Sequence, residues 1–76
     1  MMKTGFIVRP DNGYTYYYKD YVIQKTGLTL IDGYYYFLNK GNGSVGKNVS
    51  LWVDGNNAYG IVGGSYYFGA DGKMAL

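Results

Sequence analysis

The chain has 76 residues, among them 11 Tyr and 13 Gly but no Cys or His, and its formal net charge is +2. It is therefore one small domain at most, or part of a longer protein, without disulfides and without the usual protein ligands of zinc or haem. The weak charge, with no basic cluster and no long apolar run, predicts no nucleic-acid partner and no membrane partner. No cofactor is expected either.

The first predicted unit, residues 5–26, is a hairpin that contains the aromatic strand 14–18. Tyrosine and β-branched residues favour strands, and no stretch of the chain shows the i, i+3, i+4, i+7 spacing of an amphipathic helix. In GYTYYYKDYVIQKTG, residues 13–27, the aromatic strand is followed by a bend and a short return strand. This unit lacks the central glycine of a tight turn.

The second predicted unit, residues 27–47, contains IDGYYYF at 31–37 and then a glycine turn that ends in GSV at 43–45. Glycine next to Asn or Asp indicates tight turns, so the aromatic strand 34–38 is expected to belong to a second hairpin. Alternation places Tyr35 and Phe37 on one face of this strand and the two remaining tyrosines on the other.

The third predicted unit, residues 48–76, repeats the second, because VGGSYYF at 62–68 resembles IDGYYYF. In this alignment Phe37 corresponds to Phe68, and the aromatic pair before each of them is matched as well. The later GKM, at 72–74, matches GSV. The third aromatic strand is therefore predicted to end at Phe68.

The segment VSLWVDGNNAYGIV, residues 49–62, predicts one more hairpin, with its turn at 54–57. A single hairpin cannot bury its apolar face, and the predicted strands are aromatic on both faces. The expected fold is therefore all-β, with tandem β-hairpins stacked as a short solenoid.

The octapeptide GNGSVGKN, residues 41–48, matches G-x-G-x-x-G and, except for its last position, the P-loop pattern G-x-x-x-x-G-K-[ST]. The dinucleotide pattern needs a helix directly after it, whereas the β-branched, alternating NVSLWV follows here. In the P-loop pattern, Asn48 stands where Ser or Thr would hold magnesium. The glycines are therefore predicted to be turn residues rather than a nucleotide site.

The order of these motifs resembles the cell-wall-binding repeats of Gram-positive surface proteins, a superfamily that includes choline-binding and glucan-binding repeats. TGLTLIDGYYYF at 26–37 and GGSYYFGADGKM at 63–74 carry the resemblance, which extends over about residues 13–74. It implies a hairpin solenoid at the C-terminal end of a larger secreted protein, located outside the cell at the bacterial cell wall. The implied activity is non-catalytic attachment to cell-wall polysaccharide or α-glucan.

The chain departs from this pattern after Thr-Gly, where choline-binding members carry a Trp that helps to form an aromatic cage for the quaternary ammonium. Leu28 stands there in the second unit and Ile61 in the third. These departures leave choline as a disfavoured alternative. Sugars suit the chain better, because tyrosine rings stack on sugar faces and polar side chains bond to sugar hydroxyls.

Six aromatic residues are the candidate carbohydrate-binding residues: Tyr35, Tyr36, Trp52, Tyr59, Tyr66 and Tyr67. Two interpretations stay open for them, since so small a domain also needs aromatic rings for its core. Trp52 alternates with Leu51 and Val53, so it is either a platform for sugar or the largest core residue on its side of the strand.

The composition also argues against an enzyme, because a chain without Glu or His has few groups for general acid–base catalysis. Four of the five Asp residues stand next to Gly or Asn, as turn residues do. The leading hypothesis is a non-catalytic attachment module whose weak contacts add up through multivalency. The alternative is a structural or oligomerising spacer with no ligand, which forms a homodimer through exposed hairpin ends.

Overall fold

The computed structural model describes residues 4–75, and these residues form three separate antiparallel sheets without any helix. The prediction of an all-β hairpin fold is therefore confirmed, whereas solenoid winding stays a prediction. No helix in this part of the chain is long and apolar enough to cross a membrane. The strands are β1 (Gly5–Val8), β2 (Thr15–Lys19) and β3 (Val22–Ile23) in hairpin 1, β4 (Gly27–Ile31) and β5 (Tyr34–Leu38) in hairpin 2, and β6 (Val49–Val53) and β7 (Gly64–Phe68) in hairpin 3.

Hairpin 2 is closed by the shortest connection that two antiparallel strands use. Ile31 pairs with Tyr34, so only Asp32 and Gly33 lie between the strands, and their φ angles are 50° and 86°. Two successive positive φ angles are the signature of a type I′ turn, whose twist matches that of the flanking strands. The Asp-Gly pair therefore fixes the register of this hairpin.

Hairpin 3 differs from the prediction. Strand β6 pairs with β7, from Val49 opposite Phe68 to Val53 opposite Gly64, so the additional hairpin predicted within 49–62 is wrong. Asp54 does begin a turn, since its Oδ1 accepts a bond from the backbone N–H of Asn56 at 2.9 Å. The chain then continues through a loop, residues 54–63, because the aromatic strand offers β6 the larger apolar face.

The sequence alignment of the second and third units differs from their structural correspondence by one residue. After its second strand, each of hairpins 2 and 3 has a short return segment, residues 43–45 and 72–74. Leu38 bridges to Val45 in hairpin 2, and Phe68 bridges to Met74 in hairpin 3. Phe68 therefore corresponds to Leu38 and not to Phe37. Runs of aromatic letters match in either register, but a shift of one residue moves every side chain to the opposite face.

The start of hairpin 1 is a copy that the sequence comparison missed. Gly5 pairs with Tyr18 in the same way that Gly27 pairs with Leu38, so Thr4-Gly5-Phe6 corresponds to the Thr-Gly-Leu segment of hairpin 2. Phe6 consequently occupies the position where the family pattern has Trp. The missed signal was the Thr-Gly dipeptide itself.

The first interface lies between hairpins 1 and 2. Ile31, Tyr36, Leu38 and Val45 form a buried cluster, with Tyr17 packed against it. Phe6 of hairpin 1 also contacts this cluster, and its ring centroid lies 4.7 Å from that of Tyr36. One face of hairpin 2 is therefore closed by aromatic residues of the preceding hairpin.

The second interface lies between the other face of hairpin 2 and hairpin 3. Its buried centre is Val53, Phe68 and Met74, and partly buried residues from both hairpins surround it: Leu28, Tyr35, Phe37, Leu51, Ile61 and Tyr66. The rings of Phe37 and Phe68 meet edge to face in this region, with 6.1 Å between their centroids.

Backbone hydrogen bonds connect the return segments of hairpins 2 and 3 to the preceding hairpin. The N–H of Val45 donates to the carbonyl of Thr15 at 2.8 Å, and the N–H of Met74 donates to the carbonyl of Tyr35 at 2.9 Å. These are the same bond one hairpin further along the chain. The predicted match between GSV and GKM is therefore confirmed.

Gly41 and Gly43 of GNGSVGKN belong to a turn, as predicted, whereas Gly46 follows the bridge residue Val45 and donates its N–H to the carbonyl of Phe37 at 3.0 Å. Asn39 Oδ1 accepts bonds from the backbone N–H groups of Gly41 and Asn42, and Asn42 Oδ1 accepts one from Ser44. The N–H of Gly43 bonds to the carbonyl of Asn39. A phosphate loop needs such N–H groups to point at its ligand, and here they are already engaged within the turn.

Candidate functional site: an aromatic groove

A groove with a volume of about 760 Å³ lies between hairpin 2 and the loop 54–63. Hairpin 2 contributes Leu28, Leu30 and Phe37, and hairpin 1 contributes polar and aromatic side chains from its own edge. Trp52 lines the groove beside the loop. A concave surface with apolar walls and a few polar groups is the usual form of a small-ligand site.

Trp52 is the most exposed aromatic residue of the groove, with 69% of its surface accessible. The register places it opposite Ser65, on the face of hairpin 3 that points away from buried Val53. Of the two interpretations that the sequence left open for Trp52, a core residue is excluded by this exposure. Its indole is available to stack on a ligand.

Tyr59 is held in the groove by a second tyrosine. Its ring meets that of Tyr35 edge to face, with 5.4 Å between the centroids and 66° between the planes. Tyr35 itself is partly buried at the second interface. Tyr59 therefore presents an oriented ring rather than a freely rotating one.

The polar groups of the groove carry both signs of charge. Asp32 and Asp54 line it together with Lys19 and Lys40, so no strong field of one sign develops. Asn56 also lines the groove, and its side-chain amide makes no hydrogen bond to any part of residues 4–75. Such a rim suits hydrogen bonds to a neutral hydroxylated ligand.

Within residues 4–75, no group of three or more His, Cys, Asp or Glu side chains is placed to hold a metal ion. Asp54 Oδ1 already accepts the N–H of Asn56, which leaves its second oxygen for a ligand.

The other four predicted site residues do not line the groove, although Tyr35 contacts Tyr59, which does. Tyr36 is only 7% exposed in the first interface, and burial raises the pKa of its hydroxyl, an effect that Lys73 partly opposes. Tyr66 is partly buried, and its hydroxyl donates to the carbonyl of Val62 at 2.6 Å. Tyr67 is 49% exposed and shares the sheet face of Trp52.

Sequence reasoning missed several groove residues, namely Leu30, Asp54, Asn56 and the side chain that organises the loop, Asn57. Three of the four lie in DGNN, which the sequence analysis interpreted only as a turn signal. The available signal was the concentration of amide and carboxylate groups directly after the only Trp.

No family model and no curated protein matches the chain. Among solved structures, it is similar to the crystal structure of the choline-binding domain of Spr1274 from Streptococcus pneumoniae. The similarity has a TM-score of 0.64 and 31% sequence identity, and covers 97% of this chain and 96% of that one. This chain belongs to the choline-binding repeat family. Like the family pattern, its hairpins carry an aromatic second strand and a glycine turn, but Phe6 and Leu28 replace the Trp of that pattern.

Proposed function

We propose that this member of the choline-binding repeat family is a non-catalytic attachment module of the bacterial cell surface, and that its groove holds a cell-wall or glucan polymer. The observation that carries the proposal is the exposed Trp52 beside the oriented ring of Tyr59, in a groove with a polar rim. The likeness to a choline-binding domain supports a binding role of this kind.

A sugar ring meets this groove through two kinds of contact. The indole of Trp52 offers a flat apolar surface to the C–H face of the ring, while Asp54 and Asn56 offer hydrogen-bond partners to its hydroxyls. Each contact is weak, because the groove is open to water. Firm attachment therefore depends on several sites acting together along one polymer.

Choline is the second candidate ligand, and one observation favours it. The groove combines aromatic rings with the carboxylates of Asp32 and Asp54, and a quaternary ammonium is attracted to both kinds of group. The related pneumococcal domain is itself described as choline-binding. Leu28 replaces one aromatic wall of the cage in the family pattern, so we expect choline to bind more weakly than it does to members that retain the Trp.

Pelleting with insoluble polymers tests the proposal. The chain is mixed with Gram-positive cell walls or with insoluble α-glucan, with and without free choline. Trp52→Ala is expected to weaken pelleting by about tenfold, since exposed tryptophans often dominate binding energy. Tyr14→Ala is the matched control, because Tyr14 is 56% exposed and lies outside the groove.

The outcomes separate the ligands. Pelleting that choline does not release supports a sugar site, and release by choline assigns the groove to the quaternary ammonium. A folded chain that pellets with neither polymer would overturn the attachment function. Equal weakening of pelleting by Trp52→Ala and Tyr14→Ala would show that attachment does not depend on the groove.

A structural spacer that dimerises is the other function with an observation in its favour. Trp52 and Tyr67 share one exposed sheet face of hairpin 3, and apolar faces of this kind pair readily. Sedimentation at several concentrations tests it. A dimer that Tyr67→Ser dissociates, with no loss of pelleting, would show that dimerisation and attachment use different residues.

A further inference from the structure

The loop 54–63 is the point at which hairpin 3 departs from hairpin 2. Both hairpins have five consecutive strand pairs, and Val53 opposite Gly64 corresponds to Ile31 opposite Tyr34. Two residues close hairpin 2 after its last pair, whereas ten residues close hairpin 3. The strand framework does not require these additional residues, so their role lies elsewhere.

One side chain, that of Asn57, organises the loop. Its Nδ2 donates to the carbonyls of Asp54 at 2.8 Å and Ile61 at 2.9 Å. Its Oδ1 accepts the backbone N–H of Tyr59 at 3.0 Å and that of Ile61 at 3.1 Å. Asn57 therefore uses both ends of its amide to connect the two limbs of the loop and to set the backbone of Tyr59.

The base and the far limb of the loop are fixed as well. Gly55 and Gly63 approach so closely that a Cβ atom on Gly63 would lie 2.9 Å from the backbone nitrogen of Gly55. Ile61 packs into the second interface, and the hydroxyl of Tyr66 bonds to the carbonyl of Val62. A loop tied at its base, centre and far limb is preorganised, so little conformational entropy is lost when a ligand binds.

We propose that the loop 54–63 determines which ligand the groove accepts, and that Asn57 is its positioning residue. This inference rests on the proposed function, since it concerns the same groove. Asn57 holds Tyr59 against Tyr35 and keeps Asp54 and Asn56 at the rim. A sugar hydroxyl needs such directed partners, whereas a quaternary ammonium has no N–H and interacts with ring faces and charge. The loop therefore favours sugar over choline.

The test uses Trp52 as its reporter, because it is the only Trp in the chain and it lines the groove. Its fluorescence is titrated with a soluble α-glucan oligosaccharide, with soluble cell-wall fragments and with choline chloride. Asn57→Ala is expected to weaken binding of the sugar probes by about tenfold and that of choline by less than about twofold. Asn57→Asp keeps both accepted bonds but turns a carboxylate oxygen toward the carbonyls of Asp54 and Ile61, so it is expected to weaken sugar binding at least as much as Asn57→Ala.

Two further variants keep the test decisive if Asn57→Ala does not fold. Asn56→Ala removes a rim amide that has no bond within residues 4–75, so the fold is expected to persist while binding of the sugar probe falls several-fold, by about three- to fivefold. Replacement of 54–63 by Asp-Gly copies the turn of hairpin 2 and removes Asn56 and Tyr59 from the groove. It is expected to weaken sugar binding by a larger factor than choline binding, because Asp32 and Trp52 still line the groove.

The possible failures are distinguishable. If the unaltered chain binds neither sugar nor choline, both the proposed function and this inference are overturned. If the unaltered chain binds and every loop variant weakens sugar and choline by the same factor, the attachment function stands but the loop has only a structural role. An unchanged ratio of the two affinities would therefore contradict the inference alone.

Discussion

The two interfaces of hairpin 2 each have a buried centre, but they differ in the residue that packs at the position after Thr-Gly. At the first interface, Phe6 packs on Tyr36 and the surrounding cluster is buried. At the second interface, the residue that corresponds to Phe6 is Leu28, and it is partly exposed on the wall of the groove. Phe6 covers Tyr36 with its ring while 39% of its own surface stays exposed, so the two interfaces differ in the side chain at this position and not in how deeply it is buried.

This difference shows which parts of the hairpin unit are repeated in this chain and which are not. The paired strands and their return segments repeat from hairpin to hairpin, because the backbone bonds between units demand it. The residue after Thr-Gly and the length of the connection between the strands differ from one hairpin of this chain to another. Both variations meet in the groove, which is lined by Leu28, by the loop 54–63 and by the edge of hairpin 1.

The largest effect is expected from Phe68, which is 0% exposed at the centre of the second interface. Phe68→Ala is expected to lower the free energy of unfolding by about 3–5 kcal/mol, since it leaves a cavity in a small core. Urea denaturation followed by circular dichroism measures it. The control is the neighbouring Tyr67→Ala, on the exposed face, with an expected loss below about 1 kcal/mol. Similar losses for both variants would contradict the assignment of the two faces.

Leu28→Phe is expected to make the second interface resemble the first. The added ring meets aromatic neighbours, so the free energy of unfolding should rise by about 0.5–1.5 kcal/mol while ligand binding in the groove weakens. Urea denaturation and the pelleting assay are performed on the same preparation. A variant that is more stable and still binds fully would show that Leu28 does not keep the groove open.

The buried hydroxyl of Tyr36 is expected to make the stability of the first interface depend on pH. Burial raises the pKa of its hydroxyl above the ordinary value of about 10, so the folded chain holds this proton more tightly than the unfolded chain. The resulting stability is complete below about pH 10 and is lost as the pH rises through the folded-state pKa. The urea midpoint of the wild type should therefore fall in alkali, and Tyr36→Phe should reduce the fall.

Tyr67→Phe, which removes an exposed hydroxyl, is the control for this measurement. This variant removes a tyrosine hydroxyl outside both buried clusters, so it measures how much of any change follows from loss of a hydroxyl alone. The assignment to the first interface would be wrong if Tyr36→Phe and Tyr67→Phe gave the same pH profile as the wild type.

The smallest effect is expected outside both interfaces, in the turn between β2 and β3. Lys19 pairs with Val22, and Tyr21 between them has a φ of 67°, a conformation that Gly33 adopts without strain in hairpin 2. Tyr21→Gly is expected to raise the free energy of unfolding by about 0.5–1 kcal/mol through relief of that strain, with no change in pelleting. A loss of stability in thermal unfolding would show that the exposed ring of Tyr21 contributes more than its backbone costs.

The local features of this protein were determined by its sequence. Strand composition, the two-residue period and the Asp-Gly turn depend on neighbours within a few positions, so hairpins and the turn role of the glycines were predictable. The family resemblance came from the order of the same local motifs.

Tertiary structure alone decided the pairing of β6, the register of the third repeat and the contents of the groove. Tyrosine runs such as those around Tyr36 and Tyr67 are aromatic on both faces, so the sequence pattern does not distinguish a register from its neighbour. The backbone bonds of Val45 and Met74 to preceding hairpins do distinguish them. Likewise, the assignment of Tyr36 to the core and Trp52 to the groove follows from which hairpin covers each face, and that depends on contacts between residues far apart in the chain.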